Sequence, residues 1–120
     1  VNMGKSIMIV DDEADNRTTI KTILEKEGYN VITAVNGDDC LKKVQAGEKP
    51  ELILMDIMMP GTPVKDIIPK LAPIKIAYLS VVRTSEAEKE DLMSSKNIVG
   101  FIQKPFDLQD LVNKVKQIVG

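Results

Sequence analysis

The sequence predicts an α/β fold: a doubly wound, five-stranded parallel sheet with helices on both faces. Five short runs rich in Ile and Val recur along the chain, and each is too continuously apolar for a strand with one face in water. Segments with one apolar helical stripe lie between these runs, and this alternation is typical of sheets covered by crossover helices. The length of 120 residues fits one domain.

The apolar runs are the predicted strands, at residues 6–10, 31–35, 52–55, 74–79 and 98–102. None approaches the roughly 20 apolar residues that span a bilayer, and no signal peptide opens the chain. We therefore expect a cytoplasmic protein that does not enter a membrane. The opening Val1-Asn2-Met3 suggests a processed chain, or one excised from a longer protein.

Two helices are predicted before the third strand. The first covers residues 13–27 and ends at Gly28, a residue suited to a left-handed helix cap. Asn36 is the expected N-cap of the second helix, which ends at Gly47. Their apolar positions are Ile20, Ile23, Leu24, Cys40, Leu41 and Val44.

Three further helices are predicted in the second half of the chain. The segment 64–71 has helical spacing, but Pro69 removes a backbone donor at a cost of about 3 kcal/mol, so we expect this helix to be short or kinked. Ser85 and Glu88 form a capping box for the next helix. Asp107 is the expected N-cap of the C-terminal helix, whose apolar positions are Leu108, Leu111, Val112, Val115, Ile118 and Val119.

Composition excludes several kinds of chemistry. With 16 basic and 18 acidic residues the net charge is 16 − 18 = −2, which gives no general attraction for nucleic acid. The chain has no histidine, so Ser-His-Asp catalysis and histidine metal sites are impossible. Its single cysteine, Cys40, cannot form an intrachain disulfide.

Polar side chains follow four of the five predicted strands. Asp11 and Asp12 follow the first, Asp56 the third, Ser80 the fourth and Lys104 the fifth. The carboxyl ends of parallel strands share one edge of a sheet, and ligands bind at that edge. We therefore expect these five residues to form one site.

The three aspartates would repel one another unless a cation lay between them. Hard oxygen ligands favour Mg²⁺, or Mn²⁺ in its place, and Mg²⁺ leaves room for phosphate oxygens. A carboxylate can attack phosphorus, and Asp56 is the best candidate because it stands alone between apolar neighbours on a central strand. The ion, Lys104 and Ser80 could then each bind one phosphoryl oxygen.

Each residue alone also fits a simpler role. Asp11 and Asp12 could merely lie at the positive end of the following helix, and Asp56 could cap a turn. Ser80 could be one of the many hydroxyls found at strand ends, and Lys104 could be a solvated surface lysine. Their shared position at one sheet edge favours the functional interpretation.

In the order and spacing of its motifs, the chain resembles the receiver domain of two-component response regulators, the CheY-like family. The motifs are Ile7-Met8-Ile9-Val10-Asp11-Asp12-Glu13, Leu54-Met55-Asp56-Ile57-Met58-Met59-Pro60-Gly61, Ser80, and Gly100-Phe101-Ile102-Gln103-Lys104-Pro105-Phe106. The resemblance covers essentially the whole chain. It implies strand order 2-1-3-4-5 and one receiver domain over residues 1–120.

The resemblance also implies a role for each residue of the site. Asp56 would accept phosphate from the phosphohistidine of a sensor histidine kinase or phosphotransfer protein. Asp11 and Asp12 would bind Mg²⁺ directly or through water, together with Asp56 and the backbone carbonyl of Met58.

Ser80 and Lys104 would bind the phosphoryl oxygens, and Phe101 would occupy a switch position. The helix after Ser85, the fifth strand and the C-terminal helix would form the face that binds an output protein or domain. Such a protein is a signalling phosphoacceptor that assists only its own phosphorylation and dephosphorylation, and is otherwise not an enzyme.

Three features depart from the family pattern. Val81 is branched where a small residue is usual, Thr62-Pro63-Val64 replaces the usual continuation after Gly61, and Pro69 interrupts the third helix. These departures concern the rate of phosphorylation and the shape of that helix.

Three alternatives share this architecture. A flavodoxin-like cofactor binder would need a hydroxyl- and glycine-rich loop and aromatic rings, whereas this chain has an acidic loop and 3% aromatic residues. A metal-dependent phosphatase with an aspartate nucleophile would need a substrate pocket, for which no insertion is long enough. A pseudo-receiver, which binds proteins without phosphorylation, normally lacks part of the acidic pair, the acceptor aspartate or the lysine. This chain has all of these residues.

Overall fold

The protein forms a five-stranded, all-parallel sheet. The computed structural model describes residues 5–56, 64–80, 97–103 and 107–119. The strands are β1 (Ser6–Val10), β2 (Asn30–Ala34), β3 (Leu52–Asp56), β4 (Lys75–Ser80) and β5 (Ile98–Gln103). They lie in the order β2-β1-β3-β4-β5, which confirms the predicted fold class and strand order.

Helices cover both faces of this sheet. They are α1 (Ala14–Lys26), α2 (Gly37–Gln45), α3 (Val64–Leu71) and the C-terminal helix α4 (Leu108–Val119). Helices α1 and α4 pack on one face, and α2 and α3 pack on the other. The helix predicted after Ser85 lies outside the described residues. Within the described ranges, no helix has both the length and the apolar character needed to cross a membrane.

The two apolar layers explain why the strand sequences are continuously apolar. Ile7 and Ile9 of β1 pack against the α1 and α4 side, whereas Met8 and Val10 pack against the α2 and α3 side. All four side chains are fully buried. Alternate residues of one strand thus face opposite layers, and neither face can accept polar residues.

The start of α2 is defined by two reciprocal hydrogen bonds. Asn36 Oδ1 accepts from the Asp39 N–H at 2.8 Å, and Asp39 Oδ2 accepts from the Val35 N–H at 3.0 Å. These two bonds form the turn that begins α2, and β2 ends at Ala34, one residue before the predicted end. Burial raises the pKa of Asp39, but the Val35 N–H and nearby Lys43 outweigh it, so this pKa lies below its ordinary value.

Other helix ends also follow the sequence signals. The Asp107 carboxylate accepts from the Gln109 N–H at 2.7 Å, as expected for the N-cap of α4. Gly28 has a φ of 94° and ends α1. Helix α3 contains Pro69 and is only 8 residues long, in agreement with the expectation of a short helix.

Strands β3 and β4 extend one residue further than predicted. Asp56 is the last residue of β3 and pairs with Leu79, while Ser80 is the last residue of β4 and pairs with Gln103. The sheet backbone therefore fixes the positions of Asp56 and Ser80 directly. A loop would have allowed both residues more freedom.

Asn36→Ala is expected to lower the free energy of unfolding by about 1 kcal/mol, because the Asp39 N–H loses its side-chain acceptor. Urea denaturation measures the change. Asn30→Ala is the control: Asn30 is exposed at the start of β2, and its replacement should change stability by less than about 0.5 kcal/mol. Equal losses in the two variants would contradict the capping role of Asn36.

Candidate metal centre

The structure brings together the three aspartates that the sequence placed at strand ends. One carboxylate oxygen from each of Asp11, Asp12 and Asp56 lies within 4.8 Å of the other two. Asp11 directly follows β1 and Asp56 ends β3, and these strands are neighbours in which Val10 pairs with Met55. Parallel pairing of β1 and β3 thus places the acidic residues at the same edge of the sheet.

Two of these three side chains are buried. Asp11 is 0% exposed and Asp56 is 7% exposed, whereas Asp12 is exposed to solvent. Burying a carboxylate costs free energy unless hydrogen bonds or a cation compensate for its lost hydration. A cation reaching the cluster from the Asp12 side would meet two buried carboxylates whose charge it could offset.

Every polar group of Asp11 has a partner. Its N–H donates to the Ala34 carbonyl at 3.2 Å, and its own carbonyl accepts from Arg17 Nη1 at 2.7 Å. In the side chain, Oδ1 accepts from the Glu13 N–H at 2.9 Å, and Oδ2 lies 3.4 Å from Asn16 Nδ2. The residue therefore has a defined position before any ligand binds.

These contacts show that Asp11 can both help to begin α1 and belong to the acidic cluster, the two interpretations that the sequence suggested. The side chain accepts the backbone N–H of Glu13, the N-cap residue of α1, so Asp11 helps to begin the helix. The same side chain belongs to the acidic cluster. Sequence reasoning did not identify Asn16 and Arg17 as neighbours of the site, although their place in the first turns of α1 was a usable signal.

The donor set fits a small, hard divalent cation. All three candidate ligands are carboxylates, which Mg²⁺ and Mn²⁺ prefer. Octahedral Mg²⁺ with oxygen at about 2.1 Å needs ligand oxygens about 3 to 4 Å apart, a range that lies within the 4.8 Å limit of this cluster. An ion held by so few protein oxygens would keep coordination positions for water or phosphate oxygens.

The structure describes the remaining predicted site residues only in part. Ser80 ends β4, next to β3, so its backbone lies at the same edge of the sheet as Asp56. Met58, Val81 and Lys104 lie outside the described residues.

Phe101, the predicted switch residue, is partly buried in β5. Its ring lies edge-to-face with that of Tyr78 on β4, with 6.2 Å between ring centroids and 65° between planes. Tyr78 is fully buried in the layer on the α2 and α3 side. Sequence reasoning missed this pair, since its formation depends on how β4 and β5 are aligned.

Comparisons of this chain with family models, with curated proteins and with solved structures all agree on one family. The family model described as "Response regulator receiver domain" matches residues 7–116. The chain is 33% identical over 119 residues to the alkaline phosphatase synthesis transcriptional regulatory protein PhoP of Bacillus subtilis. That alignment covers 98% of this chain and 49% of PhoP, so the chain spans about half the length of this relative.

Solved structures show the same likeness. A CheY-like response regulator receiver domain protein from Methanospirillum hungatei has a TM-score of 0.82 and 34% identity, covering 97% of this chain and 94% of that one. The response regulator TrrA from Thermotoga maritima, solved in complex with Mg²⁺ and BeF, has a TM-score of 0.80 and 31% identity. Its alignment covers 95% of this chain and 98% of that one.

Asp12→Asn is expected to weaken Mg²⁺ binding at least about tenfold, because it removes one negative ligand from the cluster. Asp12 is exposed, so the substitution should leave the fold intact. Isothermal titration calorimetry with Mg²⁺ measures the affinity. Asp15→Asn is the matched control, since Asp15 is also exposed and acidic but lies outside the cluster. Similar affinities for the two variants would contradict a role of Asp12 in metal binding.

Proposed function

The chain belongs to the response regulator receiver family of two-component systems, and from this premise we propose that Asp56 accepts a phosphoryl group in the presence of Mg²⁺. One observation carries the proposal: three carboxylates from two neighbouring strand ends lie within 4.8 Å of one another. Such an arrangement would supply an acceptor and a cation site at the same point.

Asp11 and Asp12 would bind the ion directly or through water, with Asp56 and the backbone carbonyl of Met58 as the other protein ligands. When bound, Mg²⁺ neutralises charge on the phosphoryl oxygens during transfer. The solved structure of TrrA with Mg²⁺ and BeF supports this proposal by similarity. Mn²⁺ could replace Mg²⁺, because it uses the same hard oxygen ligands.

Two features of Asp56 support its proposed role as the nucleophile. Phosphoryl transfer requires the attacking oxygen to be oriented, and the backbone of Asp56 is fixed by pairing with β4 while its side chain is 7% exposed. A carboxylate oxygen would form the new bond to phosphorus as the phosphorus–nitrogen bond of a phosphohistidine breaks. The electron pair of the broken bond returns to the imidazole nitrogen.

The donor histidine must lie outside this sequence, because its 120 residues contain none. The proposed partner is therefore a sensor histidine kinase or a histidine phosphotransfer protein. Ser80 and Lys104 would bind phosphoryl oxygens as hydroxyl donor and ammonium cation. In this proposal the chain assists its own phosphorylation and dephosphorylation and acts on no other substrate.

Phe101 is the proposed internal switch. Its partial burial beside the Tyr78 ring supports a side chain that can move between the sheet interior and the surface. A phosphoryl group adds about −1.5 to −2 charges and strong acceptor oxygens at the edge of the sheet. The proposed response is a change in the face that includes β5, α4 and the helix predicted after Ser85, where an output protein or domain would bind.

Asp56→Asn is expected to abolish phosphorylation, since an amide cannot act as the nucleophile. The wild-type protein, incubated with a small acyl phosphate and Mg²⁺, should gain the mass of one phosphoryl group by intact mass spectrometry. Asp66→Asn, at an exposed position on α3, is the control and should be labelled like the wild type. Labelling of Asp56→Asn, or labelling in excess chelator, would refute the assignment. A wild-type protein that is never labelled would favour the pseudo-receiver.

Beryllofluoride with Mg²⁺ should shift amide NMR signals well beyond the acidic cluster, because it occupies the place of a phosphoryl group. The expected shifts include residues 98–103 of β5 and the first turn of α4. In Asp56→Asn, the signals of neither group should shift. Shifts confined to the neighbourhood of Asp11, Asp12 and Asp56 would exclude β5 and α4 from the output face.

A further inference from the structure

We propose that Arg17 is a positioning residue for the metal centre and acts through the backbone carbonyl of Asp11. The inference rests on the proposed function of that centre. Arg17 is half-buried, and its Nη1 donates to the Asp11 carbonyl oxygen at 2.7 Å. Charge-assisted hydrogen bonds of this length are among the stronger ones in proteins.

The contact fixes the Asp11 backbone from one side while the sheet fixes it from the other. The Asp11 N–H donates to the Ala34 carbonyl at the end of β2, and the Asp11 carbonyl accepts from Arg17 on α1. With both peptide groups held, only two side-chain torsions remain to place the carboxylate. An ion then binds a loop that is already ordered, and less ordering free energy is lost on binding.

Helix α1 gives Arg17 a rigid base. Ile20 and Leu24, one and two turns further along the helix, are buried in the layer shared with α4. Asn16 is a weaker side-chain donor to Asp11: its Nδ2 is 3.4 Å from Asp11 Oδ2 and also 3.4 Å from Glu13 Oε2. These distances exceed the usual 2.9 to 3.0 Å for N–H···O bonds, so Arg17 provides the stronger link between α1 and Asp11.

The charge of Arg17 and its hydrogen bond should have opposite effects on cation binding. A positive guanidinium beside the cluster repels a divalent cation, so loss of charge alone should strengthen Mg²⁺ binding. Loss of the donor should weaken it, because the Asp11 carbonyl is released. Two variants of similar length separate these effects: Arg17→Lys keeps a charged N–H donor of nearly the same reach, whereas Arg17→Met removes both charge and donor. Weaker Mg²⁺ binding by Arg17→Met therefore reports the loss of the donor, because the loss of charge acts in the opposite direction.

The test measures Mg²⁺ affinity of the full chain by isothermal titration calorimetry. Arg17→Met should bind Mg²⁺ about tenfold more weakly than Arg17→Lys, the size expected when a residue that orients a metal ligand is lost. Lys21→Met is the charge control: Lys21 is exposed on the same helix, and its loss should leave affinity unchanged or slightly higher. Arg17→Ala replaces Arg17→Met if the latter does not fold.

Amide hydrogen exchange in metal-free protein provides a second readout. Exchange at residues 11–13 should be faster in Arg17→Met than in Arg17→Lys when both are compared at equal global stability. Equal Mg²⁺ affinity and equal exchange in the two variants would overturn the role of Arg17. A wild-type protein without Mg²⁺ binding would instead refute the proposed function, and the exchange result would still decide whether Arg17 fixes the Asp11 loop.

Discussion

Mutual repulsion of three carboxylates at one edge of a parallel sheet is the constraint on which the rest of this structure depends. Asp11 and Asp56 are almost fully buried within 4.8 Å of each other and of Asp12. Close anionic groups would move apart if their backbones allowed it. Here the acidic residues follow or end two hydrogen-bonded strands whose side chains are packed on both faces. The apolar layers therefore supply the rigidity that keeps the three carboxylates close together.

The three aspartates are not equivalent in this arrangement. Asp11 is held by the sheet, by the start of α1 and by Arg17, and Asp56 is held by strand pairing. Asp12 is exposed. A cation arriving from solvent would meet Asp12 first and would then replace the lost hydration of the two buried carboxylates. Asp12 thus provides the solvent-accessible side of the cluster, whereas Asp11 and Asp56 provide its fixed, buried side.

The sequence predicted those features whose causes are local. Apolar runs predicted the strands, and Asn36, Gly28 and Asp107 predicted helix ends, because each signal lies within a few residues of the structure it determines. The end of β2 was predicted one residue late, because Val35 prolongs the apolar run although it is exposed and already belongs to the turn that begins α2. The strand order came from resemblance to a family and not from the residues themselves.

Features that depend on tertiary placement could not be predicted in the same way. The three aspartates were found because strand direction alone brings their positions to one edge. The contact from Arg17 to Asp11 depends on how α1 leaves that edge, and the Tyr78–Phe101 pair depends on the alignment of β4 with β5. A pattern of residue types in the sequence is therefore not enough to predict either contact.

The two ends of α4 differ in a way that bears on signal output. At its C-terminus, Lys5 donates to the Val119 carbonyl and Lys75 Nζ lies 3.5 Å from the Ile118 carbonyl. Cations at this position also favour the helix dipole. At the N-terminus, Leu108 is 37% exposed, and the Asp107 cap bonds within its own turn. Among the described residues, the side-chain hydrogen bonds of Lys5 and Lys75 thus reach α4 at its last turn, and on this basis we expect a change at the carboxyl edge of the sheet to displace the first turn more readily.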